Sequence, residues 1–284
     1  MIGFDNILPL YLWPKSPRII PSFLKADPVL PVYIISLKSS PSRRKLCARM
    51  MEREGLPFTF FDAVDGQKLS QDERNHHYDE TRNHEHFKRP LSASEVGCYL
   101  SHLRLWAHIV DMDQGAALVL EDDAEISEGL KDVLMKLQSH DLSDVYLKLD
   151  GVAEGLKTKG ATKITLGKHK VVQGAEIAPR TTGYIIGPKA AARMLQKRNR
   201  FFRPVDNDIK HYWEHDVPVW TLSPQMVCEA HALGDESTIE ASRKRAKGSN
   251  PLSRFWKNTI YQYNYQRQRR MHPPTARAHL SEKT

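Results

Sequence analysis

Val32-Tyr33-Ile34-Ile35-Ser36-Leu37, the stretch from Ser40-Pro41 to Gly55, and Phe58-Thr59-Phe60-Phe61 together decide the fold. The six residues from Val32 are β-branched or aromatic almost throughout, the composition of a buried strand. Ser40 is placed as an N-cap and Pro41 as a first helical residue, where a missing N–H costs nothing, and Gly55 closes that helix. The second strand ends at Asp62-Ala63-Val64-Asp65-Gly66. Strand, helix and strand at this spacing make a parallel βαβ unit.

The same alternation continues outward. Residues 67–90 are polar and histidine-rich and read as a long loop. Ser92-Ala93-Ser94-Glu95 is a capping box, and Val96, Leu100, Leu103, Ala107 and Val110 follow on one helical face. Ala117–Leu120 is a short buried strand running into Glu121-Asp122-Asp123. Strands are expected at 144–149, 163–166, 182–186 and 217–222, with Val171-Val172 as a hairpin partner and helices from Pro188 to Lys197 and from Pro204. This pattern predicts an α/β fold, a mostly parallel twisted sheet with helices on both faces. Six prolines from Pro9 to Pro31 predict an irregular arm over residues 1–30, and Ile7–Trp13 lacks the basic flank of an export signal. The folded domain is expected over 31–242 and a tail over 243–284.

At 40% hydrophobic and 27% charged residues, the 284-residue chain has an ordinary globular composition, which excludes wholesale disorder. No apolar run approaches the ~18 residues of a membrane-spanning helix. Cys47, Cys98 and Cys228 are odd in number and lack any C-x-x-C, so neither a disulfide framework nor a cysteine zinc site is indicated and a reducing compartment fits. The net charge of +8 is local: residues 243–284 hold eleven Lys or Arg and one acid, leaving residues 1–242 at −2. That tail interleaves Phe255, Trp256, Tyr261, Tyr263 and Tyr265 with Arg254, Lys257, Arg267, Arg269 and Arg270, a mixture suited to an anionic surface with an apolar margin. A lipid headgroup layer and an RNA backbone both qualify. The acidic core lacks RNA-binding signatures, which disfavours nucleic acid.

Consecutive carboxylates at a strand's carboxyl end repel one another unless a cation or donors neutralise them. Glu121-Asp122-Asp123 therefore suits Mg²⁺ or Mn²⁺ shared with substrate phosphates; its alternative is a solvated acidic turn. The ordered set "YIISLKSSPSRR", "FDAVDG", "LSASEVGCYLSHLRLW", "LVLEDDAEI", "TTGYII", "PVD" and "ESTI" resembles glycosyltransferase family 25, the lipopolysaccharide galactosyltransferases and their collagen-modifying relatives, from about Pro31 to Ile239. Ser94 stands where that family usually has Gly. The resemblance implies a GT-A-like fold, a UDP-galactose donor, inverting transfer, and a D-x-D-like role for the acidic triplet. Asp123 is then the metal ligand, with Glu121 near the ribose or metal and Asp122 on the donor. A lipooligosaccharide-type, lipid-linked acceptor at the cytoplasmic face of an inner membrane follows from the same resemblance.

Other candidates are read beside their structural explanations. Arg43 and Arg44 offer forked donors to a diphosphate, or lie solvated in a first helical turn. Asp62 faces uracil or ribose, or stabilises a turn. Glu95 and His102 share a helical face, Glu95 being also the capping acid and His102 a core histidine. Thr182 and Tyr184 line a sugar site, or belong to a strand with a close-approach glycine. Inverting transfer needs a general base, and Asp206 is assigned it with Asp208 in reserve, one of them also serving as an N-cap. Glu229 and His231 stand where a second metal ligand could arrive. His76, His77, His84 and His86 match no zinc spacing. A family member that binds nucleotide sugar without turnover is the other reading.

Overall fold

A computed structural model describes residues 30–112, 115–151, 161–174, 177–230 and 251–273. The arm before Leu30, His231, the "ESTI" segment and both flanks of the C-terminal helix lie outside these residues. The elements run β1 (Val32–Ser36), α1 (Pro41–Arg53), β2 (Thr59–Asp62), α2 (Gln71–His77), α3 (Glu80–His86), α4 (Ala93–Met112), β3 (Ala117–Glu121), β4 (Ala124–Ile126) and α5 (Leu130–Leu137). They continue with β5 (Tyr146–Lys148), β6 (Ala161–Leu166), β7 (His169–Gln173), β8 (Gly183–Ile186), α6 (Pro188–Lys197), α7 (Val205–Ile209), α8 (Tyr212–His215), β9 (Val219–Ser223), β10 (Val227–Glu229) and α9 (Pro251–Met271).

Eight strands form one sheet in the order β2-β1-β3-β8-β5-β9-β7-β6. β1 pairs in parallel with β2 and β3, and β5 in parallel with β9. β8 runs against both β3 and β5, and β7 against β6 and β9. Six strands therefore point one way, which makes the sheet mostly parallel by direction, as a GT-A-like α/β fold requires. Two reversed strands set between aligned neighbours make most of its pairings antiparallel.

Because side chains alternate across a strand, each buried run feeds two cores. Val32, Ile34, Leu118, Leu120, Leu147 and Ile185 meet Cys47 and Met51 of α1 and Leu130 and Leu134 of α5 on one face. Tyr33, Ile35, Val119, Tyr184 and Ile186 meet α4 and α6 on the other. The capping box of α4 forms as the sequence predicts, Ser92 Oγ accepting from the Glu95 N–H at 3.2 Å and Glu95 accepting from the Ser92 N–H at 3.0 Å. α4 also approaches the turn after β2 backbone to backbone. A Cβ on Gly97 would sit 2.6 Å from both Gly66 N and Val64 O, so only glycine allows that contact.

One expectation is corrected. Residues 67–90 are not one loop: Ser70 and Glu73 cap α2 reciprocally, and Asp79 caps α3. A turn carries the acidic triplet into β4, which pairs antiparallel with β10. The described part of the basic tail packs on the domain through α9. Its Tyr265 is buried, and Tyr261 and Tyr265 pack on His211 and Trp213.

α7 is seated by a buried charge cluster. Asp208 Oδ2 accepts from Arg198 Nε and from the Tyr99 hydroxyl, each at 2.5 Å, and Oδ1 lies 3.3 Å from Arg203 Nε. Both guanidiniums also reach Glu214. Burial alone would raise the Asp208 pKa, but Arg203 and Arg198 overcome it and hold the carboxyl at about 2. His215 is buried beside it and falls from 6.5 to about 4, through desolvation and then Arg198; His211 falls to about 3, through desolvation and then Arg203.

Two outcomes are expected. Asp208→Asn leaves two buried guanidiniums short of a counter-charge and should cost about 3–5 kcal/mol by urea denaturation, whereas Asp206→Asn should leave the midpoint nearly unchanged. The histidine shifts favour the neutral folded form. The unfolded chain therefore takes up protons first as pH falls below 6.5, and stability should decline from there down to pH 4. His215 alone is worth about 3 kcal/mol over that window. Asp208 adds a second loss between its ordinary 3.8 and about 2. Denaturation midpoints flat between pH 7 and 4 would contradict this.

Candidate active site

At the carboxyl end of β3 the acidic triplet divides. Asp122 turns aside: its Oδ1 accepts from Arg43 at 2.9 Å and its Oδ2 from the Ser36 hydroxyl at 2.7 Å. Glu121 and Asp123 instead face a cleft whose far wall is Pro204, Val205 and Asp206, and which Glu95 and Cys98 of α4 also line. Glu229 enters from β10, whose register places it opposite Ala124, and the backbone N–H of Ala230 donates to the Asp123 carbonyl at 2.8 Å. The remaining wall is Arg180, Thr181 and Thr182. Arg180 has φ 81°, a left-handed conformation unusual for a side-chain-bearing residue, and its carbonyl accepts from buried Lys148 Nζ at 2.5 Å.

Glu121 is held by a directed relay. The indole N–H of Trp106 can only donate, and it reaches the Tyr184 hydroxyl at 2.9 Å. Tyr184 lies 2.7 Å from His102 Nδ1, and His102 Nε2 lies 3.1 Å from Glu121 Oε1. Since an ionised carboxylate only accepts, Nε2 carries a proton and donates to Glu121, while the Tyr184 hydroxyl holds the ring at Nδ1. The Thr181 hydroxyl adds a 2.5 Å bond to the same oxygen. Burial would raise the Glu121 pKa, yet these donors, His102 foremost, bring it below the ordinary value.

Asp123 is treated in the opposite way. Its Oδ1 is buried without a hydrogen-bond partner, and desolvation, followed by the charges of Glu121, Asp122 and Glu229, raises its pKa to about 7. Two carboxylates two residues apart are thus pushed in opposite directions. An orphaned oxygen among carboxylates suits a hard divalent cation. Among the described residues, the donor atoms of Cys98, His102 and Glu121 lie within 4.8 Å of one another. That trio suits a metal less well, because both His102 nitrogens are engaged and burial holds the Cys98 thiol protonated.

The structure brings together Glu121, Asp123, Thr182, Glu95 and Asp206, and separates other predicted residues from the cleft. Asp208 is 1% exposed and belongs to the arginine cluster, which removes it as a reserve base. Tyr184 is wholly buried and acts behind Glu121 through His102. Arg44 pairs with Asp62 at 2.7 Å and with the Ser36 carbonyl, and Lys38 reaches Asp62 at 3.1 Å. Arg43 is thus paired with Asp122 after β3, and Arg44 with Asp62 at the end of β2. Glu95 lines the cleft but takes a forked pair from Arg89, at 2.5 and 2.7 Å, beside its capping bonds. Sequence reasoning missed Arg180 and Thr181, although they immediately precede Thr182-Gly183, and it also missed Cys98 beside Gly97 in "EVGC".

Residues 29–209 match the family described as Glycosyltransferase family 25 (LPS biosynthesis protein). The chain belongs to glycosyltransferase family 25. It is 26% identical over 242 residues to a "Glycosyltransferase 25 family member" of Aedes aegypti, covering 77% of this chain and 39% of that protein. It is 25% identical over 224 residues to human "Procollagen galactosyltransferase 2" (72% and 35%), and 23% identical over 235 residues to "Procollagen galactosyltransferase 1" of Danio rerio (73% and 37%). The chain spans well under half the length of these relatives. The matched segment holds β1–β3, α4 and α7, and hence Glu121, Asp123 and Asp206, whereas Glu229 and α9 lie beyond it.

Proposed function

We propose that the protein is an inverting galactosyltransferase that moves galactose from UDP-galactose to a lipid-linked, lipooligosaccharide-type glycan. The observation that carries this reading is the cleft itself: an orphaned carboxylate, Asp123, on one wall and the Asp206 carboxylate on the other, at the carboxyl end of the sheet in a family of glycosyltransferases. Asp123, with Glu121 and Glu229, would hold Mn²⁺ or Mg²⁺, which when bound supplies positive charge against the departing diphosphate. Arg180, the cation of the cleft lining, meets the donor phosphates from the mouth. Asp206 takes the proton of the acceptor hydroxyl. The freed oxygen bonds to the anomeric carbon as the bond from that carbon to the β-phosphate oxygen breaks, and its electron pair leaves with UDP.

The acceptor reading rests on α9. Trp256, Ile260 and Tyr263 are more than half exposed, and on helical spacing they fall on one side with Arg267 and Arg270, opposite buried Tyr265. Between Pro251 and Pro273 the sequence has five Lys or Arg and no acid. Aromatics flanked by cations fit an anionic leaflet, each cation near it adding ~1 kcal/mol. The enzyme would then work peripherally at the cytoplasmic face of a bacterial inner membrane.

Turnover of UDP-galactose should require Mn²⁺ and stop with EDTA. Asp123→Asn should lose metal-dependent UDP binding, and Asp206→Asn should keep it while turnover falls ~10²–10⁴-fold. Equal rates with and without EDTA would remove the metal, and donor binding without turnover by the native chain would make it a binding module. For the surface, replacing Trp256, Ile260 and Tyr263 by Ser should release the protein from anionic vesicles in co-sedimentation without lowering its turnover on a soluble acceptor. Unchanged vesicle binding would overturn the membrane reading, and binding transferred to RNA would favour nucleic acid.

A further inference from the structure

We propose that Tyr261, on α9, aims the Asp206 carboxylate through Asn207, making the C-terminal helix a positioning part of the acceptor side of the site. The inference rests on the reading of Asp206 as general base. Asn207 joins the two residues: its Nδ2 lies 3.1 Å from Asp206 Oδ1, and its Oδ1 lies 3.3 Å from the Tyr261 hydroxyl. Chemistry sets the direction of both bonds. An ionised carboxylate only accepts, so the amide must turn its NH₂ toward Asp206. Its carbonyl oxygen, which only accepts, is then left to the tyrosine, whose hydroxyl must donate. A flipped amide would break both contacts at once.

Asp206 needs such support because α7 is only five residues long. The arginine cluster fixes its backbone through Asp208, but that clamp leaves the Asp206 side-chain torsion open. Arg89 and Lys210 both feel the Asp206 charge, and each would draw the carboxylate toward itself. The Asn207 bond occupies Oδ1 and leaves Oδ2 for the acceptor proton. An amide bonded only to its chain neighbour swings with it; the bond from α9 gives it a fixed point outside α7.

Tyr261 is itself immobilised. Phe87 meets its ring edge-on at a centroid distance of 5.3 Å, Tyr265 stacks near it at 6.5 Å, and the Lys88 ammonium stands 5.9 Å from its centroid. Burial raises the phenol's pKa, so the donor proton stays in place. Tyr212 closes the far end of the helix by donating to the His272 carbonyl at 2.6 Å.

The test is Tyr261→Phe, which removes one oxygen and keeps the ring packing. Expected is a roughly tenfold fall in kcat with the UDP-galactose KM and the melting temperature unchanged. The decisive arm repeats the substitution in Asp206→Asn, where no further fall is expected because the aimed carboxylate is gone. Wild-type kcat in Tyr261→Phe, or an equal fall in both backgrounds, would overturn the positioning role while the base assignment stands. Near-normal turnover by Asp206→Asn alone would overturn the base assignment, and the positioning role with it.

Discussion

The carboxylate of Glu121 has to stay ionised inside the protein, and much of the structure is arranged around that demand. Taking one charge out of water is expensive unless donors replace the lost solvent. The donors come from three different places: His102 on α4, Tyr184 on β8 acting through that imidazole, and Thr181 on the loop before β8. Satisfying one oxygen therefore ties a helix, a reversed strand and a strained loop to the end of β3. Asp123, two residues on, is left without such partners, and the contrast between these neighbours gives the cleft its appetite for positive charge.

Two aspartates on α7 show the same division of labour. Asp206 faces the cleft and Asp208 faces two guanidiniums, so a helix of one and a half turns holds a chemical group on one side and its own anchor on the other. In Pro204-Val205-Asp206-Asn207-Asp208 only the family resemblance of "PVD" favours Asp206; residue type and spacing leave the two aspartates alike. Their partners tell them apart, and Tyr99, Arg198 and Arg203 come from different parts of the chain.

This explains how far the sequence could be read. The first βαβ unit, the capping box at Ser92 and Glu95, and the strand ending at Glu121 were legible because each is a local pattern of polarity, capping and breaker residues. The caps of α2 and α3 were equally local, at Ser70 with Glu73 and at Asp79, but the polar run around them concealed the signal. The reversed strands could not be recognised, since a buried strand has the same composition whichever way it runs. Arg43 and Arg44 were legible in the first turn of α1 and Asp62 at the end of β2, yet the pairing of Arg43 with Asp122 and of Arg44 with Asp62 depends on side chains brought together only by the fold. Asn207 and Tyr261, 54 residues apart, carried no mark linking them at all.

β9 stands between β5 and β7 in the sheet, and it lies beyond Ile209, where the family match stops. The inherited segment and the cooperative folding unit thus have different borders. A fragment cut at Ile209 would keep the acidic triplet and Asp206 while leaving a slot in the middle of the sheet, with the facing edges of β5 and β7 bare of their backbone partners. It would also lose β10, and with it the ladder that steadies the turn at Asp123. Open edges of that kind invite pairing with other chains, so such a fragment would carry the chemical groups of the site on a scaffold prone to self-association.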